Sequence, residues 1–263
     1  MEKLIEKTAL ITGASSGIGA ALAREFARRG AGLILLARNR QRLEAVRDEC
    51  ARLGAGPVRL VEADTTDYAA IDAFASTVEG HLDFLILNAG ISQRSLAVET
   101  DEAVDRKVME VDFFAPVHLT KVLYAAGKWD KTTHIAATSS ISGLFGFPQR
   151  SAYCAAKHAV KGFFEALRLE TGAPVTVIFP GRINTPISLS ALEGDGSAHA
   201  KMDPGQAGQA GGMDADTCAQ KCVRGILRGK PLVRVGGKEM ISCFLYKWFP
   251  GLFFRLIGKA SVV

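Results

Sequence analysis

The segment from residue 8 to residue 29 constrains the fold more than any other stretch of the chain. A short apolar run, Thr8 to Thr12, is followed by the glycine-rich sequence Gly13-Ala-Ser-Ser-Gly-Ile-Gly19 and by a helical pattern from Ala20 to Arg29. Glycines allow a tight turn and a close approach of the backbone to phosphates, and the free N–H groups of a new helix attract anions. A glycine cluster alone is also found in ordinary turns, but the order strand, turn, helix favours a nucleotide site.

Further apolar runs alternate with helical patterns along the rest of the chain. We expect strands at 33–37, 58–63, 82–87, 134–138, 175–179 and 232–235. This alternation predicts an α/β Rossmann fold, a doubly wound sheet of seven parallel strands with helices on both faces. A chain of 263 residues is of the right length for one such domain, spanning 1–263. Loops at the carboxyl ends of the strands should line one crevice.

The end of the second strand bears on the choice of cofactor. An acidic residue at this place accepts hydrogen bonds from the ribose of NAD, whereas this chain has Ala37 followed by Arg38, whose guanidinium suits a 2′-phosphate. We therefore expect NADP(H), the alternative being that Arg38 is a solvated loop charge. Asp64 follows the third strand and either meets the adenine edge or caps the next turn.

Tyr153 and Lys157 lie four residues apart, and Ser140 lies thirteen residues ahead of Tyr153. Residues four apart on a helix share a face, so the phenol and the ammonium can point into the same small volume. A neighbouring ammonium stabilises a phenolate, which suits a tyrosine that exchanges a proton near neutral pH. Taken alone, the pair is also compatible with an ordinary amphipathic helix.

Five motifs together resemble those of the classical short-chain dehydrogenase/reductase (SDR) family, in order and at the usual separations. They are Thr12 to Gly19, Asn88-Ala-Gly90, Ser140, Tyr153-x-x-x-Lys157 and Pro180-Gly181. The resemblance covers nearly the whole chain through Thr185. The sequence around Tyr153 and the aromatic tail are most similar to those of the branch that contains 11-beta-hydroxysteroid dehydrogenase type 1 and the member 7 dehydrogenases.

The resemblance implies hydride transfer between the nicotinamide C4 atom and a carbonyl or alcohol carbon. Ser140 would then hold and polarise the substrate oxygen, Tyr153 would donate or accept its proton, and Lys157 would bind the nicotinamide ribose and support the phenolate. The family also implies a homodimer or homotetramer. The expected cofactor-binding residues are Gly13, Ser15, Ser16, Gly17, Ile18, Gly19, Arg38, Asp64, Asn88, Ala89, Gly90, Tyr153, Lys157, Pro180, Gly181, Ile183 and Thr185.

One position departs from the family pattern. Asp112 stands where the family usually has an asparagine that is associated with a helix kink and a water relay to the lysine. A relay through the backbone carbonyl would survive this exchange, whereas a buried carboxylate would perturb Lys157. We include Asp112 among the catalytic residues and expect activity that is lower than that of an Asp112→Asn variant. The helix around it, predicted at 101–128, contains Pro116 as a candidate kink.

Two segments of the second half have unusual compositions. Residues 192–213 are rich in glycine, alanine and small polar residues, which favours a mobile lid over a passive loop. The tail, residues 241–263, is apolar and aromatic, but Lys247, Arg255 and the Pro250-Gly251 break make it a poor spanning helix. It suits a contact with a membrane surface, the closure of a substrate pocket or a subunit interface.

Composition limits the other classes of function. The net charge of +5 is spread along the chain and no nucleic-acid motif is present, so we expect no nucleic-acid partner. The five cysteines are irregularly spaced and residues 1–7 are charged, which favours reduced thiols in the cytoplasm, with peripheral membrane contact as an addition. The five histidines have no ligand spacing, so we expect no metal.

The apolar tail and the aromatic segment 143–148 favour a hydrophobic small-molecule carbonyl or alcohol, such as a steroid, a retinoid or a long-chain ketone. The sequence thus predicts an NADP(H)-dependent oxidoreductase. The alternatives are a catalytically weak NADP(H)-binding sensor and a scaffold at a membrane interface that keeps the same fold.

Overall fold

The structure of the protein, a computed structural model, describes residues 2–188, 190–198 and 211–258. Within this part of the chain the strands are β1 (Thr8–Thr12), β2 (Gly32–Ala37), β3 (Val58–Glu62), β4 (Phe84–Leu87), β5 (His134–Thr138), β6 (Val175–Pro180) and β7 (Leu232–Val235). They form one sheet in the order β3-β2-β1-β4-β5-β6-β7, and every neighbouring pair is parallel. The predicted fold class, a single-domain Rossmann fold with seven parallel strands, is confirmed.

Helices cover both faces of this sheet. In the described ranges they are α1 (Gly17–Ala27), α2 (Arg40–Arg52), α3 (Tyr68–Ser76), α4 (Glu102–Met109), α5 (Ala115–Ala125), α6 (Ser151–Thr171), α7 (Ala215–Leu227), α8 (Met240–Trp248) and α9 (Pro250–Ile257). The first core packs α1, α2 and α7 against one face, and the second packs α3, α5 and α6 against the other. A third, smaller cluster joins α4 to the start of α6.

Strand β1 shows why both faces of the sheet are covered. Side chains alternate along a strand, so Ala9 and Ile11 enter the first core while Leu10 enters the second. Complete burial of an apolar side chain such as Leu10 contributes about 1.5–3 kcal/mol. Because β1 lies between β2 and β4, the strand order reverses beside it, and the crevice for a ligand opens at the carboxyl ends of β1 and β4.

The predicted helix at 101–128 is divided in the structure. A π-helical turn, Glu110–Phe114, separates α4 from α5. The helical backbone continues through this turn into α5, and Pro116, which has no N–H to donate to the carbonyl of Asp112 one turn earlier, lies where a kink is expected. The π-helical turn carries Asp112 into the interior.

The two segments of unusual composition are described in part. Residues 192–198 and 211–213 of the predicted lid are in the structure, and 199–210 lie outside the described residues. The tail forms α8 and α9, and its last five residues, 259–263, also lie outside the described residues. Among the described helices, none combines the length and apolar character that crossing a membrane requires.

Candidate active site

The glycine-rich turn between β1 and α1 makes an open cradle. Gly13 has a φ of +65°, and a Cβ at this position would lie 2.9 Å from the Cα of Ala89. Gly19 packs so closely on the carbonyl of Gly13 that a Cβ would overlap it. Helix α1 begins at Gly17, and the side chain of its N-cap residue Ser16 makes no capping hydrogen bond. The first N–H groups of α1 therefore face the crevice without a side-chain cap.

A cavity of about 350 Å³ lies beside this turn. Ser15, Ser16 and Gly17 line it together with Arg42 and Pro186. Hydroxyl groups, helix N–H groups and a guanidinium are donors that suit phosphate oxygens. These residues therefore fit the pyrophosphate and phosphate groups of a dinucleotide.

The ends of three strands are joined at the crevice by two threonines and one asparagine. The Oγ1 atom of Thr12 accepts hydrogen bonds from the N–H groups of Asn88 at 2.9 Å and Ala89 at 3.0 Å. Thr138 Oγ1 donates to Asn88 Oδ1 at 3.3 Å. The segment Asn88 to Gly90 is thus held between β1 and β5, where the sequence predicts a cofactor site.

Arg38 and Asp64 lie side by side at the ends of β2 and β3. Arg38 Nη1 is 3.5 Å from Asp64 Oδ2, and the Arg38 side chain is 71% exposed. Asp64 Oδ1 accepts hydrogen bonds from the N–H and hydroxyl groups of Thr66, so Asp64 caps the following turn. Burial acts to raise the pKa of Asp64, but these hydrogen bonds and the Arg38 charge outweigh it and lower the pKa. Arg38 keeps its guanidinium at the rim of the crevice.

Helix α6 carries Tyr153 and Lys157, which are 7% and 3% exposed. The Lys157 Nζ atom lies 5.6 Å from the centre of the Tyr153 ring and donates a hydrogen bond to the carbonyl of Thr138 at 3.0 Å. Ser139 Oγ donates to the carbonyl of Lys157 at 2.8 Å, which fastens the end of β5 to α6. Ser140 follows directly, and its Oγ accepts from the N–H of Ser142 at 3.1 Å.

Asp112 is 1% exposed and lies against Lys157. Its Oδ1 atom accepts a hydrogen bond from the N–H of Ile91 at 2.7 Å. Its Oδ2 atom lies 2.9 Å from Lys157 Nζ in an ion pair. A Cβ on Gly90 would be 3.2 Å from both carboxylate oxygens and from Lys157 Nζ, so Gly90 leaves room for the pair. Of the two sequence-based alternatives, the buried carboxylate is the one observed.

Burial and charge act against each other in this pair. Burial alone would lower the pKa of Lys157, but the charges of Asp112 and Tyr153 outweigh it and raise the pKa above the ordinary lysine value. Burial also raises the pKa of Asp112, although the Lys157 charge and the Ile91 N–H group oppose it. Lys157 therefore stays protonated, and a carboxylate partly cancels its field at Tyr153.

The loop after β6 reaches the glycine turn. Thr185 is buried, and its Cβ would lie 3.2 Å from a Cβ placed on Gly17. Ile183 is buried and pairs with Met213, whereas Gly181 packs on the carboxylate of Glu239. Thr185 is thus at the crevice, while Gly181 holds the start of α8 against the sheet.

Comparison with known proteins identifies the family. The family model described as short chain dehydrogenase matches residues 7–195. The chain belongs to the short-chain dehydrogenase/reductase family. It is an oxidoreductase with a Rossmann nucleotide-binding fold, and the similarity to member 7B proteins places it in the member 7 branch.

Relatives of this SDR match along almost its whole length. It is 40% identical over 264 residues to dehydrogenase/reductase SDR family member 7B of Bos taurus, covering 96% of this chain and 80% of the relative. It is 38% identical over 266 residues to the SDR family protein 7-like of Drosophila melanogaster, covering 97% and 81%.

Solved structures of other SDRs share the fold. Levodione reductase superposes with a TM-score of 0.78 at 23% identity, over 91% of this chain and 99% of that one. A short-chain dehydrogenase of Sphingobium yanoikuyae, solved with NADPH, superposes with a TM-score of 0.73 at 25% identity, over 98% and 97%.

Two residues beside the site of this SDR are absent from the sequence-based prediction. The Arg150 guanidinium carbon lies 6.0 Å from the centre of the Tyr153 ring, and Arg42 lines the cavity at the glycine turn. Both positions carry a signal, because Arg150 directly precedes the Tyr153 helix and Arg42 lies one turn beyond Arg38. In the described part of the chain, no cluster of three His, Cys, Asp or Glu residues suits a metal ion.

Proposed function

We propose that this SDR transfers a hydride between NADP(H) and a carbonyl or secondary alcohol, with reduction as the cellular direction. The observation that carries the proposal is the buried Tyr153 and Lys157 pair on α6, fastened to the end of β5 next to Ser140. A buried phenol beside an ammonium suits proton transfer. Cellular NADPH pools are usually reduced, which favours reduction over oxidation.

Three side chains divide the work of the proposed reduction. The bound nicotinamide supplies the hydride that arrives at the carbonyl carbon. Ser140 donates a hydrogen bond to the carbonyl oxygen and polarises it. Tyr153 gives its hydroxyl proton to the same oxygen, which completes the alcohol. Lys157 stabilises the phenolate that remains and binds the nicotinamide ribose.

The proposed cofactor contacts follow the ends of the strands. Ser15, Ser16 and the first turn of α1, from Gly17 to Gly19, hold the pyrophosphate, and the segment Asn88 to Gly90 faces the adenosine side. The residues from Pro180 to Thr185 hold the nicotinamide carboxamide.

Arg38 and Arg42 supply the positive charge for a 2′-phosphate. Asp64 pairs with Arg38 and orients its guanidinium. Support also comes from the Sphingobium yanoikuyae relative, whose structure contains NADPH.

The proposed substrate is a hydrophobic ketone or its alcohol. Tyr153 belongs to an apolar cluster against which Ile91, Met109 and Leu192 pack. The aromatic tail packs on the segment that follows Ser140, because Phe145, five residues after Ser140, contacts Phe253 with ring centres 4.8 Å apart. If acetol is turned over with a far higher kcat/KM than a long-chain methyl ketone or a ketosteroid, the assignment is wrong.

We further propose that the helices α8 and α9 rest on a lipid surface. Ile241, Phe244, Trp248, Phe249 and Leu252 are exposed. Between residues 240 and 258 the only charged side chains are cationic, which complements an anionic membrane.

We also propose a cytoplasmic homodimer or homotetramer. Tyr124 on α5 and Leu169 on α6 are exposed apolar side chains available for this assembly, and all five cysteines are free thiols. Light scattering coupled to size exclusion measures the subunit number.

The experiment that tests the central proposal combines binding and turnover. NADPH and NADH binding are followed by nucleotide fluorescence, and NADPH oxidation is then measured against the three carbonyls named above. We expect selective NADPH binding and a fall in kcat of about 10²–10⁴-fold in Tyr153→Phe, with unchanged binding. Failure to bind either nucleotide contradicts the proposal.

The Asp112–Lys157 ion pair also favours a second candidate. A carboxylate beside Lys157 weakens the support for the Tyr153 phenolate, so the chain could bind NADP(H) as a sensor with little chemistry. Tight NADPH binding without turnover of a broad ketone panel would favour this candidate over the enzyme.

A further inference from the structure

Gln93 has no exposed surface and lies in the loop between β4 and α4. Its Oε1 atom accepts a hydrogen bond from the N–H of Ala152 at 3.2 Å. Ala152 is the second residue of α6 and directly precedes Tyr153. The N-cap residue of α6, Arg150, makes no capping bond with its side chain. A glutamine from another part of the chain thus caps the helix that carries the tyrosine.

The other end of the Gln93 amide determines its orientation. Its Nε2 atom donates hydrogen bonds to Ser95 Oγ and Thr100 Oγ1, each at 2.9 Å, and lies 3.4 Å from Ser151 Oγ at the start of α6. A reversed amide would place two donors against the N–H of Ala152 and an oxygen against hydroxyl groups that have other partners. The loop therefore aims the amide oxygen at α6.

The same loop holds the turn that leads into α6. Ser95 N–H donates to the carbonyl of Gln149 at 3.3 Å. Gln149 has a φ of +59°, a left-handed conformation that is uncommon for a residue other than glycine. On its other side the loop pairs with the predicted lid, since Arg94 N–H donates to the carbonyl of Leu192 at 2.7 Å. Gln93 is thus the link between residue 192 and the first turn of α6.

We propose that Gln93 is a positioning residue for Tyr153, an inference that rests on the proposed function. Tyr153 lies in the first turn of α6, where N–H groups have no partners within the helix and the turn frays without a cap. Lys157 lies one turn later and is anchored independently by Thr138 and Asp112. Loss of the Gln93 amide therefore displaces the phenol and leaves the lysine in place.

Two substitutions separate capping from packing. Gln93→Met fills the same space without the oxygen, whereas Gln93→Glu keeps an oxygen that accepts from Ala152. We expect Gln93→Met to lower kcat for NADPH-dependent reduction of the best ketone by about tenfold or more, since a displacement of about 1 Å at a reacting group can cost 10²-fold. The Kd for NADPH should stay within about twofold, and Gln93→Glu should recover part of kcat. If Gln93 acts by packing alone, kcat should instead be lower in Gln93→Glu than in Gln93→Met, because Glu adds a buried charge.

Thr133→Val is the matched control. Thr133 is fully buried and directly precedes β5, at the amino ends of the strands and away from the site. Its hydroxyl accepts a hydrogen bond from the N–H of Asp130 and donates one to the carbonyl of Leu82. This variant should lose thermal stability but keep its kcat. Should Gln93→Met not fold, Gln93→Asn, whose amide is one carbon shorter, replaces it.

Hydrogen exchange of the free protein tests the cap without any turnover. The amides of Ala152 and Tyr153 should exchange faster in Gln93→Met than in the wild type, and Gln93→Glu should restore protection. If the wild type turns over no ketone, the proposed function fails while this measurement still decides on the cap. Unchanged exchange, or a kcat in Gln93→Met equal to that of the wild type, overturns the proposal.

Discussion

At the scale of single residues, Asp112 has the strongest electrostatic effect on the site. A carboxylate 2.9 Å from Lys157 Nζ, with both groups buried, forms a pair that is close to neutral as a whole. A lone ammonium would support the Tyr153 phenolate more strongly, because Coulomb interactions are weakly screened in the interior. The protein therefore has a lysine in the family position with part of its field cancelled.

Asp112→Asn should raise kcat for ketone reduction. The amide keeps an oxygen that can accept from Ile91 N–H, but it removes the negative charge beside Lys157. We expect an increase of several-fold, with a Kd for NADPH that changes little, measured by steady-state kinetics and fluorescence titration. Turnover that is equal to or lower than that of the wild type would refute this expectation. Asp112→Leu, which leaves the buried Lys157 charge without its ion-pair partner, should instead lose stability.

Arg38 is expected to select NADPH over NADH. Arg38→Ala should raise the KM for NADPH by about tenfold or more, because one charge-assisted contact to the 2′-phosphate contributes about 1.5–3 kcal/mol. The KM for NADH should change little. Arg47→Ala is the matched control, since Arg47 is an exposed arginine on α2 whose side chain pairs with Asp48. An equal loss of both nucleotides in Arg38→Ala would contradict a 2′-phosphate contact.

At the scale of elements, the predicted ends of a strand or helix match the structure where the local sequence determines them and differ where a distant contact does. The strands β1, β5 and β7 begin and end at the predicted residues, because their apolar runs are short and bounded by turns. Strand β4 begins at Phe84 rather than Leu82, because the N–H of Leu82 bonds the carbonyl of Lys128 in a distant loop and not a strand. The periodicity of apolar residues does not predict such a contact between distant segments.

The π-helical turn between α4 and α5 is a second such case. It is held by two side-chain contacts to distant elements: Glu110 accepts a hydrogen bond from the hydroxyl of Tyr68 on α3, and Asp112 pairs with Lys157 on α6. Neither partner lies near the turn in the sequence. The apolar pattern of residues 101–128 predicts one helix with Pro116 as a candidate kink, and the contacts to Tyr68 and Lys157 appear only in the folded packing.

The Tyr68–Glu110 contact predicts a loss of stability at high pH. Burial, with the hydrogen bond to Glu110 and its charge, raises the pKa of Tyr68 to about 12. A phenol in the unfolded chain titrates at about 10, so between these values the unfolded state has released a proton that the folded state retains. The free energy of unfolding must fall as the pH rises through this window. In Tyr68→Phe, urea denaturation between pH 9 and 12 should show a shallower fall; an identical slope would contradict the assignment.

At the scale of the whole molecule, the parallel sheet brings together residues that are far apart in sequence. Ser140 and most of the predicted cofactor-binding residues directly follow strands, and parallel strands present their carboxyl ends at one edge. This placement follows from the alternation of elements and was predictable. The cap that Gln93 provides to α6 was not, because a glutamine in a loop carries no periodic signal and its partner lies 59 residues away.

The aromatic tail connects the surface of the molecule to the substrate site. Phe253 is buried against Phe145 and Tyr246, so α9 is anchored on the segment that follows Ser140, while Phe244 and Trp248 remain exposed. A lipid surface bound by α8 and α9 would thus lie next to the substrate site. Deleting the tail would expose Phe145, so substitutions of exposed residues are the better test.

Phe244→Glu combined with Trp248→Glu should abolish flotation of the protein with vesicles of phosphatidylserine and phosphatidylcholine, because two carboxylates oppose both apolar insertion and the anionic lipid. Ile5→Glu, a charge added at an exposed apolar residue outside the tail, should float like the wild type. Flotation should weaken in high salt and on vesicles without phosphatidylserine, since Lys247 and Arg255 supply the attraction. A wild-type protein that never floats, but whose dimer is broken by the double substitution in light scattering, would make α8 and α9 a subunit interface instead.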